Sequence, residues 1–327
     1  MSITVLIATY NRAPMLQRCL AQLARQAFEP GDEVVIVDNG SSDATDDVVR
    51  TAVARFPVPL RYVVEPSPGK SRALMAGLAA AHGDVLALTD DDVLVGDDWL
   101  AAIRALWREA DIGLAGGRVT PGWARSAPRW LRFDAGIGYG PLAAPLALLD
   151  YGPEPAPLGD RTALGANMAV TRRALDAAGG FPLDLGKLRG TLLSGEDHAL
   201  CERVQAAGFR AVYDPRLVVR HHVPADRLRL AYYVRWFFWS GITNAALDHR
   251  SSARGEAVRL APLRHWVLRA ARGAVRLAAA ALTARLPRCI DALTDVAFAI
   301  GYLAFCANRI RKGGRRTSSG TRQPEAA

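Results

Sequence analysis

VLALTDDDVLVG, residues 85–96, places three carboxylates in the middle of an apolar run. Adjacent anions repel, so Asp90, Asp91 and Asp92 need either a cation or a solvated turn. Taken alone, an acidic triplet reads as the turn. At the end of a strand it reads differently. Asp90 and Asp92 stand two residues apart, and an extended backbone points both the same way. Two hard oxygen ligands on one side suit Mg2+ or Mn2+, with phosphate oxygens and water completing the shell.

Working outward, 3–8 (ITVLIA), 33–38 (EVVIVD), 60–64 (LRYVV) and 84–89 (DVLALT) read as strands. Helical spacing falls between and after them, over 14–27, 43–56, 70–82 and 97–110. Strands alternating with helices predict an α/β fold, a mostly parallel sheet flanked by helices. In such sheets ligands collect beyond the carboxyl ends of the strands. Three strands here end in polar sets: Thr9-Tyr10-Asn11-Arg12, Asp38-Asn39 and the aspartate triplet.

Further along, 120–162 is rich in Pro, Gly and Trp and predicts an irregular loop over a pocket. Residues 163–180 predict a strand and then a helix. Residues 194–208 predict a helix capped by Ser194, with Glu196 and Asp197 in its first turn. A last strand is expected at 210–220, with His221 and His222 after it. The predicted organisation is an α/β domain over 1–225, a basic helical region over 226–311 and a disordered tail over 312–327.

The formal charge of +9 is unevenly spread. Residues 226–327 hold 18 Lys and Arg against 6 Asp and Glu; the rest hold 23 against 26. The basic rear could meet nucleic acid, an anionic membrane or an acidic substrate. Four scattered cysteines with no CxxC pair exclude a zinc ribbon or a disulfide framework and fit a reducing cytosol. The opening MSITVLIATYNR reads as a strand, not a signal peptide.

Two nucleotide-binding motifs fail. PGKS at 68–71 resembles the end of a P-loop, but the pattern needs glycine where Val64 stands. Pro66 and Pro68 also remove N–H groups from that loop. No GxGxxG follows the first strand, so a Rossmann dinucleotide site is not expected.

The ordered set ATYNR (8–12), VDNGSSD (37–43), PGKSRALMAGL (68–78), LTDDD (88–92) and GED (195–197) resembles the non-processive, bacterial-type family-2 glycosyltransferases of GT-A fold, over about 1–225. The resemblance implies a metal-dependent inverting transfer from a nucleotide-diphosphate sugar, a UDP-sugar first, to a sugar or lipid-linked acceptor hydroxyl in cell-surface glycan assembly. It implies that Thr9, Tyr10, Asn11, Arg12 and Asp38 line the nucleotide pocket, with Lys70, Asp90 and Asp91 also at the donor. Asp92 and Asp90 would hold Mg2+ or Mn2+, with His222 chosen over His221 to complete the shell. Asp197, with Glu196 as second choice, would be the catalytic base. Met75 departs from an asparagine common in relatives, and Tyr232 stands where processive members carry the Gln of QxxRW.

In the rear, YYVRWFFW (232–239) is too dense for a base-stacking platform and reads as a helix buried against the main domain, so nucleic acid is not an expected partner. Arg264, Arg269, Arg272 and Arg276 form a helical stripe. The run 296–308 is uncharged but shorter than the ~20 residues a span requires. Together they predict peripheral membrane contact through 264–310, on the cytoplasmic face. Two other classes stay open: a catalytically silent GT-A scaffold at the membrane, and a P-loop-like ATPase.

Overall fold

Four apolar runs become strands β1 (Ile3–Thr9), β2 (Glu33–Asp38), β3 (Leu60–Val64) and β4 (Val85–Asp90). Helices α1 (Ala13–Leu23), α2 (Thr45–Val53) and α3 (Lys70–Ala80) return the chain between them. The computed structural model describes residues 1–107, 112–128, 130–131, 139–251, 260–283 and 286–318, and the chain divides into two compact units, Met1–Leu228 and Arg229–Ala327. The first unit continues with β5 (Val93–Val95), α4 (Trp99–Leu106), β6 (Ile112–Trp123), β7 (Ala156–Pro157), β8 (Asn167–Thr171), α5 (Arg172–Ala177), α6 (Glu196–Ala206) and β9 (Arg210–Val223).

Among the described residues these strands form one sheet in the order β3-β2-β1-β4-β8-β6-β9-β5, with β7 beside β9. β2 is buried at every position, as a strand covered on both faces must be. The block β3-β2-β1-β4 is parallel throughout. Beyond it the sheet is mixed, not mostly parallel. β8 runs antiparallel to β4 and β6, β6 is parallel to β9, and β5 and β7 are antiparallel to β9. Apolar periodicity reveals that a strand exists but carries no sign of its direction.

Three other expectations shift. The irregular stretch at 120–162 begins as the end of β6, and it contains a 3-10 turn at Pro141–Leu146 and the short β7; residues 129 and 132–138 lie outside the described residues. His221 and His222 sit inside β9 rather than after it. The cap of α6 is Gly195 at φ +103°, with no side-chain cap bond, instead of Ser194. Only glycine adopts that left-handed backbone without strain.

The second unit is helical: α7 (Leu230–Ser251), α8 (Leu260–Leu282) and α9 (Leu286–Ser318). The aromatic run 232–239 lies in α7. Helices α7 and α9 cross closely at Gly301, where an added Cβ would stand 1.9 Å from the Phe238 carbonyl oxygen. Trp266 of α8 stacks on Tyr302 of α9 at 4.3 Å, and the Tyr302 hydroxyl donates to Asp248 at 2.9 Å. Two arginines of the predicted basic stripe, Arg269 and Arg276, pair with Asp295. Because α9 runs unbroken past Asp291 and Asp295, Leu286–Arg309 gives 24 residues in which an 18-residue window has a mean hydropathy of 1.6, long and apolar enough to cross a membrane by length and composition, with 39% of that window buried. The shorter run at 296–308 had suggested otherwise. Helix α9 also continues to Ser318, so 312–318 are helical where a tail was expected; the remainder of that tail, 319–327, lies outside the described residues.

Candidate functional site

Strand register assembles the site. Thr9 pairs with Asp38 and Ala8 with Asp90, so the ends of β1, β2 and β4 share one edge of the parallel block. A cavity of about 400 Å³ opens there, lined by Thr9, Tyr10, Arg12, Asn39, Lys70 and the aspartate triplet, and on its far side by 187–191. Asn11 and Asp38 do not line it. Both Asp38 oxygens are taken, by the Tyr62 hydroxyl and the Ser41 N–H at 2.8 Å each. Asn11, at φ +51°, instead accepts from the Ser42 N–H and shapes the turn.

The triplet does not behave as a strand. β4 ends at Asp90, and a turn at Asp91 and Asp92 gives those two side chains a different partner from Asp90. Asp90 accepts from Lys70 Nζ at 2.8 Å. Asp91 and Asp92 share Arg12 Nη1, at 2.9 and 2.5 Å, and Asp91 also accepts from the Thr9 hydroxyl at 2.8 Å. The expected parallel pointing of Asp90 and Asp92 is therefore replaced by separate cation partners. Burial disfavours the charge on Asp90 and Asp92, but Lys70 outweighs it at the first and His221 with Arg12 at the second, holding both below the usual carboxylate range. Burial wins at Asp91 despite Arg12, pushing it up to about 6.

The start of α3 excludes a phosphate cradle of the P-loop kind. The Gly69 N–H donates to Asn39 Oδ1, the Lys70 N–H to the Lys187 carbonyl, and the Ser71 hydroxyl to the Leu185 carbonyl. The donors such a loop would offer are already satisfied by protein. These bonds strap 185–191 across the cavity, which brings in two cations that sequence reasoning missed. Lys187 lines the wall, and Arg189 lies 4.3 Å over the Tyr10 ring while donating to the Asn39 carbonyl at 3.0 Å. The available signal was two basic residues between Gly186 and Gly190, just ahead of the GED segment.

Glu196 and Asp197 open α6. The Gly165 N–H donates to Asp197 Oδ2 at 2.9 Å, while Asp197 Oδ1 and Glu196 Oε2 are buried with no hydrogen-bond partner. Buried polar atoms are rarely left unpaired, and such exceptions mark candidate sites. Desolvation raises both carboxyls, Glu196 to about 7, with Asp197 adding to the rise. Lys70 connects this pair to the cavity. Burial opposes its charge, but Asp90, Asp197 and Glu196 together hold its pKa above the usual lysine value.

The two histidines part company because neighbours on a strand face opposite ways. The buried His221 brings Nε2 to 3.5 Å from Asp92 Oδ1. His222 lines a second cavity of about 500 Å³ that shares Asp92 as a wall with the first. So it is His221, not the sequence choice His222, whose ring stands beside the Asp92 carboxylate.

Among the described residues no group of three or more His, Cys, Asp or Glu forms a ready-made metal cage. The donor set still fits a hard cation that takes one or two carboxylates and completes its shell with substrate phosphate and water, as Mg2+ commonly does. Asp90 and Asp92, which both line the first cavity, would be the carboxylates on offer, and the buried His221 Nδ1 has no hydrogen-bond partner.

Comparison with known proteins supplies a family and a fold. Residues 4–147 match the family described as Glycosyl transferase family 2. The chain is 28% identical over 244 residues to the succinoglycan biosynthesis protein ExoM of Rhizobium meliloti, covering 74% of this chain and 73% of that protein. It is 22% identical over 259 residues to a glucosyl-dolichyl phosphate glucuronosyltransferase of Haloferax volcanii, covering 76% and 78%. In fold it is similar to a mannosyltransferase of Pyrobaculum calidifontis solved with GDP-Man and Mn2+, with a TM-score of 0.61 at 20% identity over 94% of this chain and 87% of that one.

Proposed function

Residues 4–147 are a family 2 glycosyltransferase domain and the chain is a glycosyltransferase of GT-A fold; from that premise we propose that it moves a sugar from a UDP-sugar to an acceptor hydroxyl, with inversion, in cell-surface polysaccharide or glycolipid assembly. The reading rests above all on two buried carboxylates with unpartnered oxygens, tied through Lys70 to a cation-rich cavity.

The nucleotide occupies the first cavity against Tyr10 and Asn39. Arg12, Lys70 and Lys187 face its diphosphate. Asp92 and Asp90 hold a divalent ion, with His221 beside Asp92, and the bound ion supplies charge neutralisation to the departing diphosphate. Asp197 is the base. The Gly165 N–H fixes its Oδ2, which leaves Oδ1 for the proton of the acceptor hydroxyl. As that oxygen bonds to the anomeric carbon from the far face, the bond to the diphosphate breaks and the proton passes to Asp197. Asp197 is preferred to Glu196 because it is anchored and less buried, whereas Glu196 is 4% exposed.

The helical unit meets the cytoplasmic face of a membrane through 264–310. Supporting this, Val267, Leu268, Val275 and Leu282 of α8 are exposed, interleaved with Arg264 and Arg272. Amphipathic helices of that composition bind anionic lipid surfaces. Cosedimentation with phosphatidylglycerol but not phosphatidylcholine vesicles is the expected result.

Thermal shift with a panel of sugar nucleotides, each with Mn2+ or Mg2+, tests the donor. One UDP-sugar should stabilise the protein most, and EDTA should abolish the shift. Stabilisation by ATP alone, or by no nucleotide, overturns the reading.

A further inference from the structure

The second cavity plays no part in the donor chemistry described so far, and its lining is unusual. α1 contributes Met15 and Arg18, β6 contributes Pro121 to Trp123, and β9 contributes Arg220 and His222. Arg220 and His222 are two apart on one strand, so they face the cavity together. Gly122 leaves room for the Arg220 stem, since an added Cβ would lie 3.2 Å from its Cγ. Asp92 is the one acid among the lining residues, and Arg12 and His221 already engage it from its other side. Neither Arg18 nor Arg220 forms an ion pair among the described residues. Two guanidinium groups and an imidazole thus share a concave wall with no anion to match them, next to a Trp and a Met.

We propose that this cavity is the acceptor subsite and that the acceptor carries a phosphate ester, gripped by Arg18, Arg220 and His222, with its apolar or sugar portion against Trp123 and Met15. The inference rests on the glycosyltransferase reading and adds the acceptor's chemical class to it. Planar guanidinium forks suit phosphate oxygens, and two of them matched to one tetrahedral anion give orientation as well as attraction. The donor's own diphosphate does not need these groups, because Arg12, Lys70 and Lys187 serve the first cavity. Asp92 forms the partition, so donor and acceptor would occupy adjoining chambers on either side of one carboxylate. The phosphate ester has two possible sources, a glycosyl phosphate or a prenyl phosphate, and the experiment separates them.

The test is calorimetric titration of the full-length protein with four probes: glucose 1-phosphate, citronellyl phosphate, citronellol and inorganic phosphate. Each is run with and without saturating UDP and Mn2+. At least one phosphate ester should bind in the presence of UDP at least tenfold more tightly than orthophosphate or the alcohol. Arg18→Ala with Arg220→Ala should weaken that binding at least tenfold, leave UDP affinity unchanged and keep Tm within a few degrees, both side chains being exposed. Arg220→Lys should retain part of the affinity. Lys70→Ala should do the reverse, weakening UDP and sparing the ester. Equal affinity for ester and orthophosphate, an ester displaced by UDP, or a double variant that binds as well as the parent overturns the proposal. If UDP binds and the esters do not, the acceptor assignment falls alone; if UDP also fails to bind, the donor assignment falls with it.

Discussion

Asp90–Asp91–Asp92 and Glu196–Asp197 are both runs of buried or partly buried carboxylates, and both lie within electrostatic reach of Lys70. Their treatment differs. Every member of the triplet has a cation within 3 Å, Lys70 for Asp90 and Arg12 for Asp91 and Asp92. The pair at the head of α6 has no cation within hydrogen-bond distance among the described residues; the Gly165 N–H reaches Asp197, and two oxygens are left bare. Charge is held at Asp90 and Asp92 and discouraged at Glu196, Asp197 and also Asp91. The first arrangement suits binding, where a fixed field is wanted. The second suits proton transfer, where a carboxyl must gain and lose its proton near neutral pH.

Removing the bare oxygen should break this contrast most severely. Asp197→Asn is expected to cut transfer by about 10³-fold, within the range that positioned bases supply, while nucleotide affinity measured by calorimetry stays unchanged. Transfer that survives Asp197→Asn and is lost in Glu196→Gln would reassign the base. Next in size, Asp92→Asn should lower metal-dependent turnover by about 10²-fold, a few kcal/mol of charge stabilisation, with a raised Mn2+ requirement in a metal titration.

Lys70 joins the two clusters, so Lys70→Met should disturb both. It leaves Asp90 with Lys187 as a remaining cation, and breaking one partner of a largely buried pair costs about 3 kcal/mol, to be read from urea unfolding. It also removes a positive charge that lowers the pKa of Glu196 and Asp197. The acidic limb of the rate profile should therefore move to higher pH. An unchanged limb would mean that Lys70 does not couple the clusters.

The smallest effect concerns stability against pH. Glu196 titrates near 7 in the folded chain against 4.5 for the free side chain. The folded state then binds the extra proton between those values, and stability falls as pH rises through that window. Glu196→Gln should flatten this decline, a difference of a few degrees in Tm followed by calorimetry from pH 4.5 to 7.

Much of this was legible along the chain because it depends on near neighbours. ITVLIA, EVVIVD, LRYVV and VLALT are strands because apolar runs of that length, broken by helical spacing, have few other ways to be buried. Their polar ends meet at one edge because parallel strands joined by helices start and finish together. The acidic pair heads a helix, and the basic rear is helical, for equally local reasons. The same logic fails at Asp91 and Asp92, where a strand was extrapolated through a turn. It fails at Asp38, whose oxygens are claimed by Tyr62 and Ser41. It also fails at the histidines, where one step along β9 decides which ring meets Asp92.

What the linear order of residues determined was which elements form, and that their carboxylates gather at one end of a sheet. Tertiary structure alone decided the partners: Arg12 across 79 residues to Asp91, Lys70 to Asp90, Arg189 over Tyr10, Gly165 to Asp197. The reason is physical. Periodicity and caps act over one or two turns of chain, whereas the charge a buried carboxylate keeps depends on whatever cation the fold carries to it from elsewhere.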